Sequence, residues 1–188
     1  MHIFGANNFG KELIEYIDFN RYPLVHVLDT IPGIELAGLR FSVKYNPKLP
    51  SNEGLVIAVK DNRERKKIAR GMKVDELTIF WDKSARRGDW PKVQWGCIIL
   101  QDVVICPGAK IGWHTILNKN AYVGVDSVIG DFVNIGQNVV IEDNVTIGEG
   151  VNIGPNSVVK SGITIGCWAD IPGCTLVKSD IRDFPESR

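Results

Sequence analysis

The stretch from Val93 to Val177, VQWGCIILQDVVICPGAKIGWHTILNKNAYVGVDSVIGDFVNIGQNVVIEDNVTIGEGVNIGPNSVVKSGITIGCWADIPGCTLV, decides the fold. Taken six residues at a time from Val93, it reads Ile99, Ile105, Ile111, Leu117, Val123, Ile129, Ile135, Ile141, Ile147, Ile153, Val159, Ile165, Ile171 and Val177. Every position in that register is a bulky aliphatic. Two residues before each, from Cys97 to Thr175, stands a small or β-branched residue, as at Ala109, Thr115, Ala121, Ser127, Val133 and Ser157. Gly often follows the aliphatic, as at Gly112, Gly124, Gly130, Gly136, Gly148, Gly154 and Gly166. A period of six fits neither an amphipathic helix nor a hairpin meander. It fits a solenoid of short parallel strands. Residues i and i−2 of a strand point to one side, so both registers face inward and three hexads close one triangular coil. The aliphatics form interior ladders, and the small residues leave room at the corners. Gly after the aliphatic suits a tight turn.

Ahead of the repeat lies a different pattern. Residues 2–4 read as a short strand ending at Gly5, and Gly5-Ala6-Asn7-Asn8-Phe9-Gly10 reads as a turn. Lys11 to Phe19 reads as a helix with Leu13, Ile14 and Ile17 on one face. Leu24 to Asp29 is a buried strand ending in an acid. This is the layout of a nucleotide-binding βαβ unit, with Asn7 and Asn8 where its fingerprint has glycines. Asn tolerates positive φ better than most residues. The competing reading is a small α/β domain with no ligand at this turn. Ile31 to Pro50 reads mostly as loop, and Gly54 to Val59 as an apolar strand of the parallel-sheet type.

Asp61 is an N-cap for a helix running to about Arg70. Its Arg63, Arg65, Lys66, Lys67 and Arg70 read as a solvated face, or alternatively as a phosphate-facing end near the strand's carboxyl edge. Leu77 to Trp81 reads as a third strand. The organisation is a Rossmann-like α/β domain over 1–82, a connector over 83–92, a parallel β-helix over 93–178 and a tail over 179–188 that caps the last coil.

Lys+Arg and Asp+Glu both total 22, so nothing in the charge balance argues for nucleic acid or an anionic membrane. No run of 18 apolar residues exists, and the N-terminus lacks the basic start and apolar core of a signal peptide. Cys97, Cys106, Cys167 and Cys174 form no CxxC pair and read as free thiols of a cytoplasmic protein.

With both domains in hand, the chain resembles the sugar O-/N-acyltransferases of the sialic acid O-acetyltransferase type. The likeness is carried by the Gly5–Gly10 turn, Leu28-Asp29, Ala58-Val59-Lys60-Asp61-Asn62-Arg63, Ile129-Gly130-Asp131-Phe132-Val133, and Ser157 to Gly166. It implies a left-handed hexapeptide-repeat β-helix behind an N-terminal α/β domain, and a homotrimer with acetyl-CoA held between adjacent β-helices. It also implies a nucleotide-linked amino sugar as acceptor, met by Gly5, Asn7, Asn8, Phe9, Asp29 and Lys60. Asp143, Gly154, Lys160 and Gly173 would then meet the acyl-CoA. The usual general base is a histidine in a His-Asp pair, and here that pair reads Val125-Asp126. The second histidine is Asn134, the oxyanion glycine is Asp143, the histidine of the glycine-rich turn is Phe9, and a further glycine is Lys60.

A base tuned near neutral pH is most easily a histidine. The chain has only His2, His26 and His114. His114 follows Gly112-Trp113 at a turn, where it reads as an exposed turn histidine or as a replacement base. The candidate catalytic set is Asp126, His114, Asn118 and Asn134. One β-helix histidine argues against a metal site. Trp95, Trp113 and Trp168 read as packing residues or as stacking partners for an adenine. An amine acceptor needs positioning and loss of a proton, so the missing histidine favours N- over O-acylation. The reading is an acetyl-CoA-dependent N-acetyltransferase of surface polysaccharide biosynthesis. The alternative is a catalytically altered relative that binds a ligand or partner enzyme without acyl transfer.

Overall fold

The computed structural model describes residues 2–5, 8–15, 26–29, 35–36, 39–40, 43–44, 54–71 and 77–186. From Phe80 to Val177 the chain is a triangular solenoid of two-residue strands in three parallel sheets of six, six and five. Each strand pairs with the one 18 residues further on, as Ile98 with Ile116 and Ile116 with Asn134. Both six-residue registers point inward. From Ile99 to Ile165 every aliphatic of the first is at most 2% exposed, and Ala109, Thr115, Ser127, Val133 and Ser157 of the second are fully buried.

The buried hydroxyls link successive coils. Ser127 Oγ donates to the Glu142 carbonyl (2.8 Å) and accepts from the Val145 amide (3.1 Å). Thr115 does the same with Gly130 and Val133, and Ser157 with Pro172 and Thr175. Each of these hydroxyls is thereby satisfied, which is the condition for burying it.

The solenoid begins earlier than the aliphatic register indicates. Phe80–Trp81, Arg86–Arg87 and Lys92–Val93 pair with Ile98–Ile99, Val104–Ile105 and Lys110–Ile111. Residues 83–92 are therefore part of the first coil rather than a connector. The periodic signal fades because its register positions there are Trp81 and Arg87, whose side chains stack with the guanidinium 5.8 Å from the ring centre. The stretch Leu77 to Trp81 also divides: Leu77 bridges to Leu55, while Phe80–Trp81 opens the solenoid. At the other end Ile181 bridges to Ile165, and the Asp180 and Asp183 carboxylates accept from the Thr164 and Cys167 amides. The tail thus covers an open strand edge.

The α/β unit contains β1 (His2–Phe4), α1 (Asn8–Glu15), β2 (His26–Asp29), β3 (Glu35–Leu36), β4 (Leu39–Arg40), β5 (Val43–Lys44), β6 (Leu55–Ile57) and α2 (Asn62–Ala69). Its main sheet is parallel in the order β5-β2-β1-β6. The β3–β4 antiparallel pair and β5 fall inside the stretch read as loop. Helix α1 starts at Asn8, ahead of the expected Lys11. Its early start brings Gly10 against the end of β1, where a Cβ would lie 1.9 Å from the Gly5 carbonyl oxygen. The remainder of the helix expected to Phe19, and Asn7, lie outside the described residues.

Helix α2 fixes the two units together. Asp61 caps it, accepting from the Glu64 amide at 2.8 Å. Arg65, for which the sequence offers a solvated face or a phosphate-facing end, is in neither place but fully buried. Its Nε donates to the His114 carbonyl, Nη1 to the Val59 and Lys60 carbonyls, and Nη2 to Asn62 Oδ1 and the Phe132 carbonyl. With the Val133 carbonyl 3.4 Å from Nη2, six neutral oxygens hold one guanidinium, whose fixed fork suits such a task. Burial lowers its pKa to about 10, still charged at neutral pH.

Removing that guanidinium leaves buried carbonyls without donors. Arg65→Ala is expected to cost about 3–5 kcal/mol, localised to the junction. Hydrogen exchange should show residues 55–69 losing protection while amides of residues 128–165 keep theirs. Uniform loss along the solenoid would contradict this role.

Candidate functional site

A solenoid corner needs a left-handed residue once per coil, and each corner here supplies a column of them with φ between 54° and 77°. One column is Gly96, His114, Phe132, Gly150 and Trp168. The others are Asp102, Asn120, Asn138, Asn156 and Cys174, and Trp90, Gly108, Asp126, Asn144 and Gly162. Small and short polar residues adopt this conformation most easily. Bulky ones recur in the first column, and α2 lies over that column.

There Asn62 Nδ2 donates to the Gly150 and Val151 carbonyls at 3.1 and 3.2 Å. Arg63 and Lys66 lie over the Trp168 ring, 5.1 and 4.9 Å from its centre. Lys66 also pairs with Glu149 and with Glu186 of the tail. Trp168 is accordingly a packing residue, its ring covered by cations.

Beside this contact opens a cleft of about 440 Å³ between the start of α2 and the first face of the solenoid, lined by Lys60, Asp61, Asn62, Arg63, Asn134, Asn152, Trp168 and Asp170 among others. Its floor is a ladder of side chains. Asn118 Nδ2 donates to Asn134 Oδ1 (3.0 Å), Asn134 to Asn152 (2.9 Å) and Asn152 to Asp170 Oδ1 (2.6 Å). Lys60 forms the outer lip, its ammonium 4.9 Å from the Phe9 ring centre and 3.7 Å from Glu12. Lys60 therefore links the cleft to the glycine-rich turn, where Gly5 and Phe9 are buried and Asn8 is exposed at the start of α1. Asp29 ends β2 in the same sheet.

The four candidate catalytic residues do not meet in one place. His114, Asn118 and Asn134 share the first corner and its adjoining face. Asp126 stands exposed at a different corner, next to Val125, whose amide donates to Asp143 Oδ1 at 2.8 Å. Asn118 is buried and spends a second bond on the Ile135 carbonyl.

His114 is not an exposed turn histidine. It is 4% exposed and stacked on Phe132, with 5.2 Å between ring centres and an 11° interplanar angle. Its Nδ1 has no hydrogen-bond partner among the described residues, and Gly96 lies against that atom so closely that a Cβ would sit 2.3 Å away. Burial, and secondarily the nearby Arg65 charge, lower its pKa to about 4. It is a neutral packing residue at pH 7.

The four candidate acyl-CoA residues are also distributed. Gly154 and Gly173 face each other across adjacent coils at one corner, so closely that a Cβ on Gly154 would lie 2.3 Å from the Gly173 amide nitrogen. Asp143 and Lys160 belong to the Val125 corner, and Lys160 pairs with Glu142. The second face lies between those two corners.

Three participants do not stand out in the sequence in the roles they take here: Arg65, Asn152 and Asp170. Arg65 stands three residues after Asn62 and so shares its helix face, a signal hidden by the surrounding basic residues. Asn152 and Asp170 follow Asn134 at steps of 18, each one residue before the inward aliphatic. That position faces outward, and a polar ladder there was readable from spacing. Among the described residues no three His, Cys, Asp or Glu side chains gather as a metal ion would require, and the four cysteines are free.

Comparison with known proteins bears on the whole chain. The family described as bacterial transferase hexapeptide (six repeats) matches residues 126–161. No curated protein matches. Among solved structures, a point mutant of perosamine N-acetyltransferase from Caulobacter crescentus, in complex with CoA and GDP-perosamine, is 25% identical. That match covers 97% of this chain and 90% of the other, with a TM-score of 0.87. The acetyltransferase domain of PglB from Neisseria gonorrhoeae is 21% identical, with 98% and 92% covered and a TM-score of 0.86. A complex of that domain with acetyl coenzyme A is 22% identical, with 97% and 92% covered and a TM-score of 0.85. The solenoid thereby matches a left-handed β-helix.

The buried histidine carries a pH dependence whose sign follows from its depressed pKa. The unfolded chain takes up a proton near pH 6.5, whereas folded His114 does so only near 4. Stability should therefore fall as pH drops through that window, by roughly 3 kcal/mol between pH 7 and pH 4 from this group. Urea titrations at both pH values check it: His114→Phe should reduce the loss by about that amount. An equal loss in both proteins would refute the assignment.

Proposed function

We propose that this protein is an acetyl-CoA-dependent N-acetyltransferase acting on a nucleotide-linked amino sugar, in the supply of surface polysaccharide. The observation that carries the reading is the end-to-end likeness to perosamine N-acetyltransferase, which spans the α/β unit and the solenoid together. A β-helix alone would not single out this chemistry. The parallel β5-β2-β1-β6 order and the glycine-closed turn between β1 and α1 support a nucleotide site at the carboxyl ends of those strands. This is the Rossmann-like role expected of the first domain.

In the reaction the sugar ammonium first loses a proton to solvent. Its free amine then attacks the thioester carbonyl, forming the C–N bond. The tetrahedral intermediate expels CoA as the C–S bond breaks, and the amine's second proton leaves with the sulfur. Acetyl-CoA and nucleotide sugars are cytoplasmic metabolites, so the reading places the enzyme there. No helix of the described residues is long and apolar enough to cross a membrane.

The same reading calls for a homotrimer, and the second face is our candidate for its contact. The outward residues there are Arg86 in the first coil and then Val104, Tyr122, Val140, Val158 and Leu176, the last 49% exposed. The corresponding positions of the third face are Lys92, Lys110, Val128, Thr146 and Thr164. From Val104 onward the column is largely apolar, and the described residues of one chain leave it partly open, which fits a second copy of it. Such a contact would bring the Gly154–Gly173 and Asp143–Lys160 corners beside a neighbouring chain, where an acyl-CoA groove would lie.

One observation favours a second reading, binding without transfer: Val125, 38% exposed, stands where the resemblance implies the histidine base.

Thiol release from acetyl-CoA, measured across GDP-, UDP- and dTDP-linked amino sugars, decides between them. Transfer should be seen with at least one acceptor, with a product heavier by one acetyl group. CoA binding with no turnover for any acceptor would favour the second reading. Light scattering should give three times the 20.9 kDa chain mass, and Val140→Glu should lower it to that of one chain.

A further inference from the structure

Resting on the acetyltransferase reading, we propose that the cleft beside α2 is the acceptor site, with Asp170 contacting the ammonium of the amino sugar and Lys60 and Arg63 its diphosphate. The cleft is polarised. Lys60 and Arg63 border it on the α2 side, with the Asp61 carboxylate between them turned to the Glu64 amide as the helix cap, and Asp170 ends the ladder on the solenoid side. About 440 Å³ falls within the range of small-molecule sites and suits a sugar with its diphosphate.

The ladder has a direction. Asn118, Asn134 and Asn152 each donate an amide hydrogen onward, so the chain of bonds runs toward Asp170 and ends on its Oδ1. The last bond is charge-assisted and fixes the carboxylate in place. No cation among the described residues pairs with Asp170, and no bond to its Oδ2 is formed by them. An anchored, exposed, unpaired carboxylate inside a cleft is suited to a cationic group. The opposite border carries two cations, Arg63 and Lys60 (the latter 3.7 Å from Glu12), against one capping carboxylate, Asp61, so a ligand with an anionic part and a cationic part separated by a sugar ring matches both sides. Lys60, between β6 and α2, reaches from the cleft to Phe9 of the glycine-rich turn, which continues the site toward the proposed nucleotide position.

The proposal distinguishes the amino sugar from its acetylated product, because acetylation removes the positive charge while leaving the diphosphate. Asp170 should thus favour substrate over product. It also holds the ammonium proton more tightly, so the bound amine titrates higher with Asp170 present than without it.

Kinetics with the best acceptor of the panel test this. For Asp170→Asn, the acceptor KM is expected to rise at least tenfold. The acetyl-CoA KM and the inhibition constant of the N-acetylated product should stay within twofold. The acidic limb of kcat should move to lower pH, a shift that a purely structural role would not produce. Lys60→Met should weaken substrate and product alike, because both carry the diphosphate. Asp170→Ser, at the same outward position, provides a second variant if the first folds poorly. Wild-type acceptor KM and acidic limb in the Asp170 variants, with transfer otherwise intact, would overturn the inference alone. Absence of transfer by the unaltered protein with every acceptor would overturn it together with the reading it rests on.

Discussion

The buried guanidinium of Arg65 is the interaction on which the arrangement of the two units depends. A charge with no exposed surface is costly to bury, and here the compensation comes from both sides of the junction. Val59, Lys60 and Asn62 supply oxygens from the α/β unit; His114, Phe132 and Val133 supply them from two successive coils. Neither unit alone completes the set. The residue therefore specifies one docked geometry, because any sliding of α2 along the corner would strand a charged donor. That geometry in turn places Lys60 and Arg63 opposite Asn152 and Asp170.

The same constraint explains the side chains at the first corner. Left-handed backbone at a bulky residue costs on the order of 1 kcal/mol or more, and the other two corners mostly avoid it with Gly, Asn and Asp. His114, Phe132 and Trp168 accept it where α2 lies over them. Their rings bury area against one another and against Arg63 and Lys66. Gly96 stands one coil before His114 and Gly150 one coil before Trp168, since a Cβ at either would enter the neighbouring ring. Large and small residues thus interleave along one column, and the backbone strain is offset by packing. Where no helix covers the column, exposed Asn120, Asn138 and Asn156 stack by mutual amide bonds instead.

The solenoid was legible because its constraint is periodic. A side chain at Ile135 meets the same environment as one at Leu117 or Ile153, so the residue type repeats and the repeat can be read. Asp61 as a helix cap was legible for a related reason: its requirement is local and involves only the next three residues. The burial of Arg65 was not, because a run of basic residues looks the same whether one of them enters a junction or none does. His114 misled for the opposite reason. A turn in an isolated coil is exposed, and only the docking of α2 and the stacking of Phe132 made this one part of the interior. The first coil is concealed in the sequence because its register positions are Trp81 and Arg87, a half-buried ring with an exposed guanidinium stacked on it, rather than two aliphatics.

The position of His114 also constrains how the proposed transfer would run. With its pKa near 4 and its ring enclosed, it is in the base form at neutral pH but has no route to a substrate proton. Val125 cannot serve either. General-base assistance is worth roughly 10²–10⁴ in rate, whereas holding two reactants in line is worth effective molarities of about 10⁵–10⁸ M. An amine nucleophile already carries its lone pair once the ammonium proton has gone to water. A hydroxyl must lose its proton during attack, and forfeits more when the base is absent. A scaffold that keeps the docking of its two units while lacking a histidine at that corner is therefore better matched to an amine acceptor than to a hydroxyl. Positioning then becomes the main source of rate, and that places the demand on the junction built around Arg65.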